Sequence, residues 1–509
     1  MKVLVTGGTG VVGSAAVRHL IARGHTVRLF SRNANRDCEA YVDGVEPWAG
    51  SVGEPETVHG CAAACDAVLH IVGIVAESPP DVTFEKVNVQ GTRHMVEEAE
   101  RQGIRRFIYV SSLGADRGRS DYHRSKKRAE LEAQKFSGDW LIMRPGNVYG
   151  PGDEVISLLL KMVRTLPAIP VIDDGDQQFQ PVWTDDLGDA LAQAVEREDL
   201  ARHVLELSGT ELTCTNEVLD LLAEITGKKP PRLPLPGWLA STGAKVASAF
   251  GVDSPVSADQ ITMVVEGNVI SPGEPNALTD VFGITPTPLK QGLKRLADVL
   301  PEQLPSDGVG RLVRRRYWAD IRNAPLSPEA LMERFRSRFA ALTPSATVDV
   351  GAEPGTQTTI TEGATITLGL RMRGTVQVRV IEVTEREVTL VTVEGHPLAG
   401  AIRFRAFELD DELRFQVTTY DRPANLVDWV AMSTIGIVLK SSTWRALVEA
   451  VVTDSGGVAP DGVQTESKTL DDDQAEVAEK WVERLVMERK REESEGLADQ
   501  GAGQEGAIR

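Results

Sequence analysis

Short apolar runs rich in β-branched residues alternate with helix-patterned stretches over the first third of the chain. VLVT (3–6) precedes a predicted helix over 15–23, and HTVRLF (25–30) follows it. AVLHIV (67–72) leads to a helix over 92–102, RFIYVSS (106–112) to one over 122–136, and WLIMRP (140–145) continues the series. Strands separated by helices of this length predict βαβ units and a parallel sheet, with ligands at the carboxyl ends of the strands. From about residue 215 the pattern turns helical, with a Pro-rich break at KKPPRLPLPG (228–237) and a turn-rich boundary at PSDGVG (305–310).

The second half reads differently. The basic cluster RLVRRRYW (311–318) reads as a solvated linker or domain edge. A helix is predicted over 326–342, with Ser327 as N-cap and Pro328 at its first position. Across 356–420, runs such as TVQVRVIEV, EVTLVTV, IRFRAFEL and LRFQVTTY alternate with period two, which predicts an antiparallel sheet with one buried face. A helix around 441–452 closes this unit, and a charged helix over 474–493 precedes a Gly/Ala/Gln end read as disordered. Four parts result: a dinucleotide-binding domain over 1–230, a helical substrate lobe over 231–305, an antiparallel β domain over 311–455, and the charged tail over 456–509.

Composition narrows the chemistry. The 509 residues carry 55 Lys+Arg against 74 Asp+Glu, a net charge of −19, which disfavours a nucleic-acid backbone as partner. The four cysteines, Cys38, Cys61, Cys65 and Cys214, have neither metal-ligand nor disulfide-framework spacing, so no metal site is expected and a reducing, cytoplasmic setting is. The start lacks the basic region and apolar run of a signal peptide, and no stretch reaches the ~20 apolar residues of a membrane span. The nearest, 235–252, is interrupted by Lys245 and reads as a buried or cap helix first, a peripheral membrane contact second.

TGGTGVVG (6–13) directly follows the first strand and opens the first helix. Gly7 suits the tight turn, Gly10 lets a pyrophosphate approach the backbone, and Gly13 allows close helix–strand contact; Gly8, Thr9, Val11 and Val12 complete the loop. The helix start then offers free N–H groups and the positive end of a dipole. LFSRNANR (29–36) ends the second strand without the Asp or Glu that bonds ribose hydroxyls in NAD-specific sites. Ser31, Arg32 and Arg36 stand there instead, which favours NADP(H) over NAD(H), since a guanidinium matches a 2′-phosphate. Tyr122 and Lys126 fall one helical turn apart, shortly after the strand ending Ser111–Ser112.

The glycine loop, the strand-end serine and YxxxK together resemble the short-chain dehydrogenase/reductase superfamily in its extended form, that of the NAD-dependent epimerases and dehydratases. The segments FIYVSSLGAD, YHRSKKRAE, LIMRPGNVYGPGD, QPVWTDDLGDA and ADQITMVVEGN are similar to the group of the NADPH-binding accessory subunit of respiratory complex I, from residue 1 to about 300. The resemblance implies a Rossmann-type doubly wound sheet and a catalytic set of Ser112, Tyr122 and Lys126. Tyr122 would exchange a proton with a substrate hydroxyl or carbonyl, Lys126 would lower the phenol pKa and bond the nicotinamide ribose, and Ser112 would polarise the substrate oxygen. A free phenol near pKa ~10 needs a shift of roughly 3 units to act as a base at neutral pH. The resemblance also places His70 to Gly73, including Val72, along the cofactor and Pro145 near nicotinamide, and it includes members that bind NADPH structurally. One departure is Gly50–Ser51–Val52 where relatives carry Gly-Asp, so that Ser51 and Val52 or backbone would meet adenine.

Asp185 and Asp186 read as caps of a helix starting at Leu187. The β-rich unit resembles the helix-grip fold of lipid-transfer and polyketide-cyclase proteins, which implies an apolar cavity for a lipid-like ligand. His396, Arg403, Tyr420, Asp421 and Arg422 are its polar candidates, with turn or wet-face roles as the plainer alternative. The overall expectation is an NAD(P)-dependent oxidoreductase or epimerase acting on a small, apolar hydroxyl or keto substrate, with a non-catalytic NADPH-binding protein as the alternative. Oligomeric state is open.

Overall fold

The computed structural model describes residues 1–41, 44–238, 267–370, 374–410, 412–425 and 437–505. The helix expected over 235–252 lies largely outside the described residues.

The first sheet has seven parallel strands: β1 (Lys2–Thr6), β2 (Thr26–Ser31), β3 (Val45–Ala49), β4 (Ala67–His70), β5 (Arg106–Val110), β6 (Asp139–Pro145) and β7 (His203–Leu207). Their order is β7-β6-β5-β4-β1-β2-β3. The strand order reverses between β1 and β4, and it is at such a switch point that the loops diverge and leave a crevice. Val3, Val5, Leu69, Ile108 and Leu141 are buried on one face and Leu4, Val68, Phe107, Tyr109 and Ile142 on the other, so both faces are covered by helices. Helices α1 (Val11–Ala22), α2 (Gly91–Arg101) and α3 (Asp121–Ala133) carry the residues of interest, α4 (Ile156–Thr165) leads into the helical lobe, and α5 (Thr184–Glu196) crosses α1 closely. A Cβ on Gly188 would stand 2.7 Å from that of Ala15, which sets how near the two axes come. The architecture is a doubly wound α/β sheet of Rossmann type.

A second sheet has eight strands in which every neighbouring pair is antiparallel: β8 (Val313–Ile321), β9 (Val348–Val350), β10 (Thr365–Leu370), β11 (Gly374–Val383), β12 (Glu387–Thr392), β13 (Leu398–Leu409), β14 (Glu412–Pro423) and β15 (Gln464–Thr469). The order is β9-β10-β11-β12-β13-β14-β8-β15. α6 (Pro328–Ser337) begins where the Ser327 hydroxyl accepts the N–H of Ala330, and α7 (Ile437–Ser455) packs beside it. Among the described residues, Phe335, Phe339, Phe404, Phe415 and Trp444 pack between this sheet and its helices. Phe335 lies with its centroid 4.9 Å from that of Phe404 and 5.1 Å from that of Phe415.

One expectation is corrected here, and one element proves to be packed where the sequence showed only its charge. The basic cluster at 311–318 is no linker: Val313–Ile321 is β8, inserted between β14 and β15. Tyr317, Ala319 and Ile321 point into the core, and Arg314 and Arg315 neutralise their charge on Glu466 (2.8 Å) and Asp421 (3.0 Å). The charged tail helix is α8 (Asp472–Glu505), and it is docked. Trp481, Val482, Leu485 and Val486 cover Ile381, Val391 and Ala401 on the outer face of the second sheet. Arg403 lies under the Trp481 ring (5.0 Å), Tyr420 packs against it (5.6 Å), and Arg422 pairs with Glu479. Three of the polar candidates of this unit are therefore contacts of α8, while Asp421 serves Arg315 and the His396 ring bonds its own turn at Leu398.

α4 and residues 297–300 share a buried seam with the second sheet. Arg164 of α4 is 4 % exposed and makes a two-pronged pair with Glu353 (2.7 Å to each oxygen), with a further bond to Gln377 of β11 (3.0 Å). Arg379 of β11 donates to the carbonyls of Asp298 and Leu300.

Candidate functional site

The glycine turn follows β1 because Gly7 adopts φ +72°, a left-handed conformation costly for a side chain, and its absent Cβ would stand 2.8 Å from the Val72 nitrogen. At Gly13 a Cβ would come within 2.0 Å of the Gly7 carbonyl oxygen, so the helix can approach the strand only with glycine there. Gly10 is different. Its Cβ would meet one atom, the Gly7 oxygen at 3.5 Å, and otherwise open space. The first turn of α1 has no side-chain cap and no acidic residue. Uncapped N–H groups above an open, methyl-free surface suit the phosphates of a dinucleotide. Tyr41 adds a bond from its hydroxyl to the Gly8 carbonyl (3.0 Å), fastening the turn from the far side. Gly8, Thr9, Val11 and Val12 lie in this turn and the helix start as expected from their positions.

At the end of β2, Arg32 and Arg36 are exposed. The Ser31 hydroxyl donates to Asp37 (2.6 Å), and Arg36 lies 3.8 Å from the same carboxylate and 3.4 Å from Glu483 of α8. At the end of β3, Ser51 is held by Thr57, whose hydroxyl accepts the Ser51 N–H (3.0 Å), and the Val52 carbonyl accepts from His94 (2.8 Å). The His70 ring does not face the crevice. It is 0 % exposed, bonds Thr6 (2.8 Å) and Thr92 (3.1 Å), and burial pushes its pKa down to about 3. From this segment, the Ile71–Val72 backbone stands against Gly7.

The reactive side chains converge beyond β5. α3 starts where the Ser120 hydroxyl accepts the His123 N–H (3.1 Å), which places Tyr122 and Lys126 on one face, both buried. Burial raises the Tyr122 phenol pKa and the neighbouring Ser112 hydroxyl opposes the rise, while the Ser112 hydroxyl donates to the Leu113 carbonyl (3.2 Å). The Lys126 amine donates to the Val110 carbonyl (2.7 Å) and lies 4.7 Å from the Tyr109 ring centroid. Burial pushes Lys126 down to about 7, against the pull of Glu130. A Cβ on Gly73 would stand 3.3 Å from the Lys126 nitrogen, so Gly73 and Lys126 border one space with the loop after β4.

Ser111 and Ser112 part company. Ser111 donates to Glu130 (2.7 Å), which receives Arg144 in a bidentate pair at 2.7 and 2.8 Å. Burial works to raise the Glu130 carboxyl, and Arg144, Ser111 and Lys127 together hold it below its ordinary value. Arg144 also reaches Asp116 (2.6 Å), so it braces the loop after β5 rather than facing the crevice. Pro145 is buried, and its carbonyl accepts the Leu113 N–H (2.8 Å), which ties the ends of β5 and β6 together. Asp185 and Asp186 do not cap: Asp186 binds the N–H and hydroxyl of Thr287 (2.6 and 2.9 Å), and Asp185 faces Arg18 (3.6 Å) and His19 (3.3 Å).

Sequence reasoning passed over Asn88. Its amide donates to Ser125 (2.9 Å) and the Ile74 carbonyl (3.2 Å) and accepts the Ile74 N–H (2.9 Å), fixing the loop after β4 against the Tyr122 helix. The signal was a polar residue inside the apolar stripe of VNVQGT. Among the described residues, no group of three or more His, Cys, Asp or Glu has metal-binding geometry, and no helix is long and apolar enough to cross a membrane.

The model of the NAD dependent epimerase/dehydratase family matches residues 3–207. The ceramide reductase of Caulobacter vibrioides is 30% identical over 250 residues, which cover 47% of this chain and 75% of that protein. The 2-alkyl-3-oxoalkanoate reductase of Stenotrophomonas maltophilia is 29% identical over 223 residues, 40% of this chain and 66% of that protein. The mitochondrial NADH-ubiquinone oxidoreductase 40 kDa subunit of Neurospora crassa is 24% identical over 274 residues, 53% of this chain and 72% of that protein.

Proposed function

Because the chain belongs to the NAD-dependent epimerase/dehydratase family, an NAD(P)-binding family, we propose that it is an NADP(H)-dependent oxidoreductase or epimerase acting on a small, apolar hydroxyl or keto substrate. The observation that carries this reading is the convergence of Ser112, Tyr122 and Lys126 beside Gly73, with Tyr122 and Lys126 buried on one helix face at the carboxyl edge of the parallel sheet. The bound dinucleotide supplies a hydride donor or acceptor. Ser112 holds the substrate oxygen, and the Tyr122 hydroxyl gives or takes the proton at that oxygen. Two of the relatives are reductases by name, which supports the reducing direction, in which the Tyr122 hydroxyl gives its proton. Lys126, brought to about 7, is matched to neutral pH as a store for the proton that Tyr122 passes on. The preference for NADP(H) rests on Ser31, Arg32 and Arg36 at the end of β2.

A second reading has support of its own. Tyr122 and Lys126 are deeply buried, and the Neurospora relative is a subunit of a larger assembly by name, both of which suit a structurally bound dinucleotide. Incubation with NADPH and a panel of ketones, quinones and keto-acyl compounds separates the two. The enzyme reading expects oxidation of NADPH coupled to reduction of at least one class. Saturable NADPH binding with no oxidation across the panel supports the structural reading instead.

A further inference from the structure

The crevice at the end of β2 is completed by the far end of the chain. α8 lies across both units, with Trp481, Val482, Leu485 and Val486 on the second sheet and other residues against α1. It is anchored, not loosely attached. Arg489, its side chain 8 % exposed, pairs with Glu302, which is 2 % exposed and also binds Arg379. Glu483, on the flank of α8 beside this buried stripe, is thereby held 3.4 Å from the Arg36 guanidinium.

The local charges cancel. Arg32 and Arg36 bring two positive charges, and Asp37 and Glu483 bring two negative ones, with Asp37 already engaged by Ser31. A 2′-phosphate drawn to Arg36 has to share that guanidinium with Glu483 and approach its carboxylate, and a phosphate monoester carries roughly −1.5 to −2 charges near neutral pH. The ribose of NAD(H), with hydroxyls only, meets no such opposition.

We propose that Glu483 is a cofactor-selectivity determinant supplied by the C-terminal helix: it engages Arg36 and opposes the 2′-phosphate, so the C-terminal unit sets how strongly the chain prefers NADP(H) to NAD(H). The inference rests on the reading of Ser31, Arg32 and Arg36 as the phosphate end of the site.

The test is equilibrium binding of NADPH and NADH to the full-length protein at low ionic strength, with Glu483→Gln, Arg36→Ala, Arg32→Ala and the Arg36→Ala/Glu483→Gln double variant. Glu483→Gln is expected to tighten NADPH roughly five-fold, a gain that shrinks at high salt, and to leave NADH within about two-fold. In the Arg36→Ala background the gain disappears. Unchanged NADPH affinity in Glu483→Gln, with Arg36→Ala weakening NADPH, overturns the role of Glu483 and leaves the phosphate-end reading standing. Unchanged NADPH affinity in both Arg36→Ala and Arg32→Ala overturns that reading, and the role of Glu483 with it.

Discussion

Gly10 and Gly13 sit in the same turn, yet a methyl group at each meets different neighbours. At Gly13 it would lie 2.0 Å from a backbone oxygen, whereas at Gly10 the nearest protein atom is 3.5 Å away. Gly10→Ala is therefore expected to keep thermal stability within about 1 kcal/mol and to weaken dinucleotide binding at least ten-fold. Gly13→Ala should lower both, and a denaturation series run beside a binding titration distinguishes them. His70 gives a second residue-scale expectation. Its folded pKa of about 3 lies below the ordinary 6.5, so the unfolded chain binds more protons between those values. Stability from a neutral His70 is present above pH 6.5 and is lost as pH falls toward 3. His70→Asn, which retains a polar group and removes the titration, should flatten that acid limb in urea unfolding curves. The glycine spacing was legible because backbone geometry admits few residue types. The inward aim of His70 was not, since one polar residue after three buried ones looks the same whether it faces a ligand or Thr6 and Thr92.

Elements with a single regular period were legible in the sequence. Five of the seven strands of the first sheet, β1, β2, β4, β5 and β6, follow from short apolar runs, and α6 from Ser327 and Pro328, whereas β3 and β7 were not foreseen. β8 was hidden because its first half holds three consecutive arginines, Arg314 to Arg316, whose charge outweighed the alternation of Tyr317, Ala319 and Ile321. The partners that make those arginines tolerable, Glu466 and Asp421, lie more than a hundred residues away along the chain. α8 was read by its charge for the same reason. Its apolar positions, 478, 482, 485 and 486, form a narrow stripe on a helix otherwise rich in Glu, Lys and Arg. The Ser112–Tyr122–Lys126 set was legible as spacing, but the Ser111–Glu130–Arg144 bracing beneath it joins three elements and needed coordinates.

At the scale of the whole molecule, the seam of α4 with the second sheet and the span of α8 join the C-terminal unit to the body that carries the glycine turn. Arg164 with Glu353 is a buried ion pair between them, and removing one partner leaves the other charged and unpaired. Arg164→Ala is expected to cost about 3 kcal/mol of stability, seen as a lowered Tm, while the charge-removing double variant with Glu353→Gln recovers part of it. The chemistry proposed for this chain is dinucleotide binding with proton transfer by Tyr122. The most direct measurement is Tyr122→Phe, with NADPH affinity and turnover on the best carbonyl substrate determined on the same preparation. The account predicts affinity within about three-fold of the parent and turnover reduced between about 100- and 10,000-fold. Turnover that survives Tyr122→Phe with affinity unchanged would contradict it.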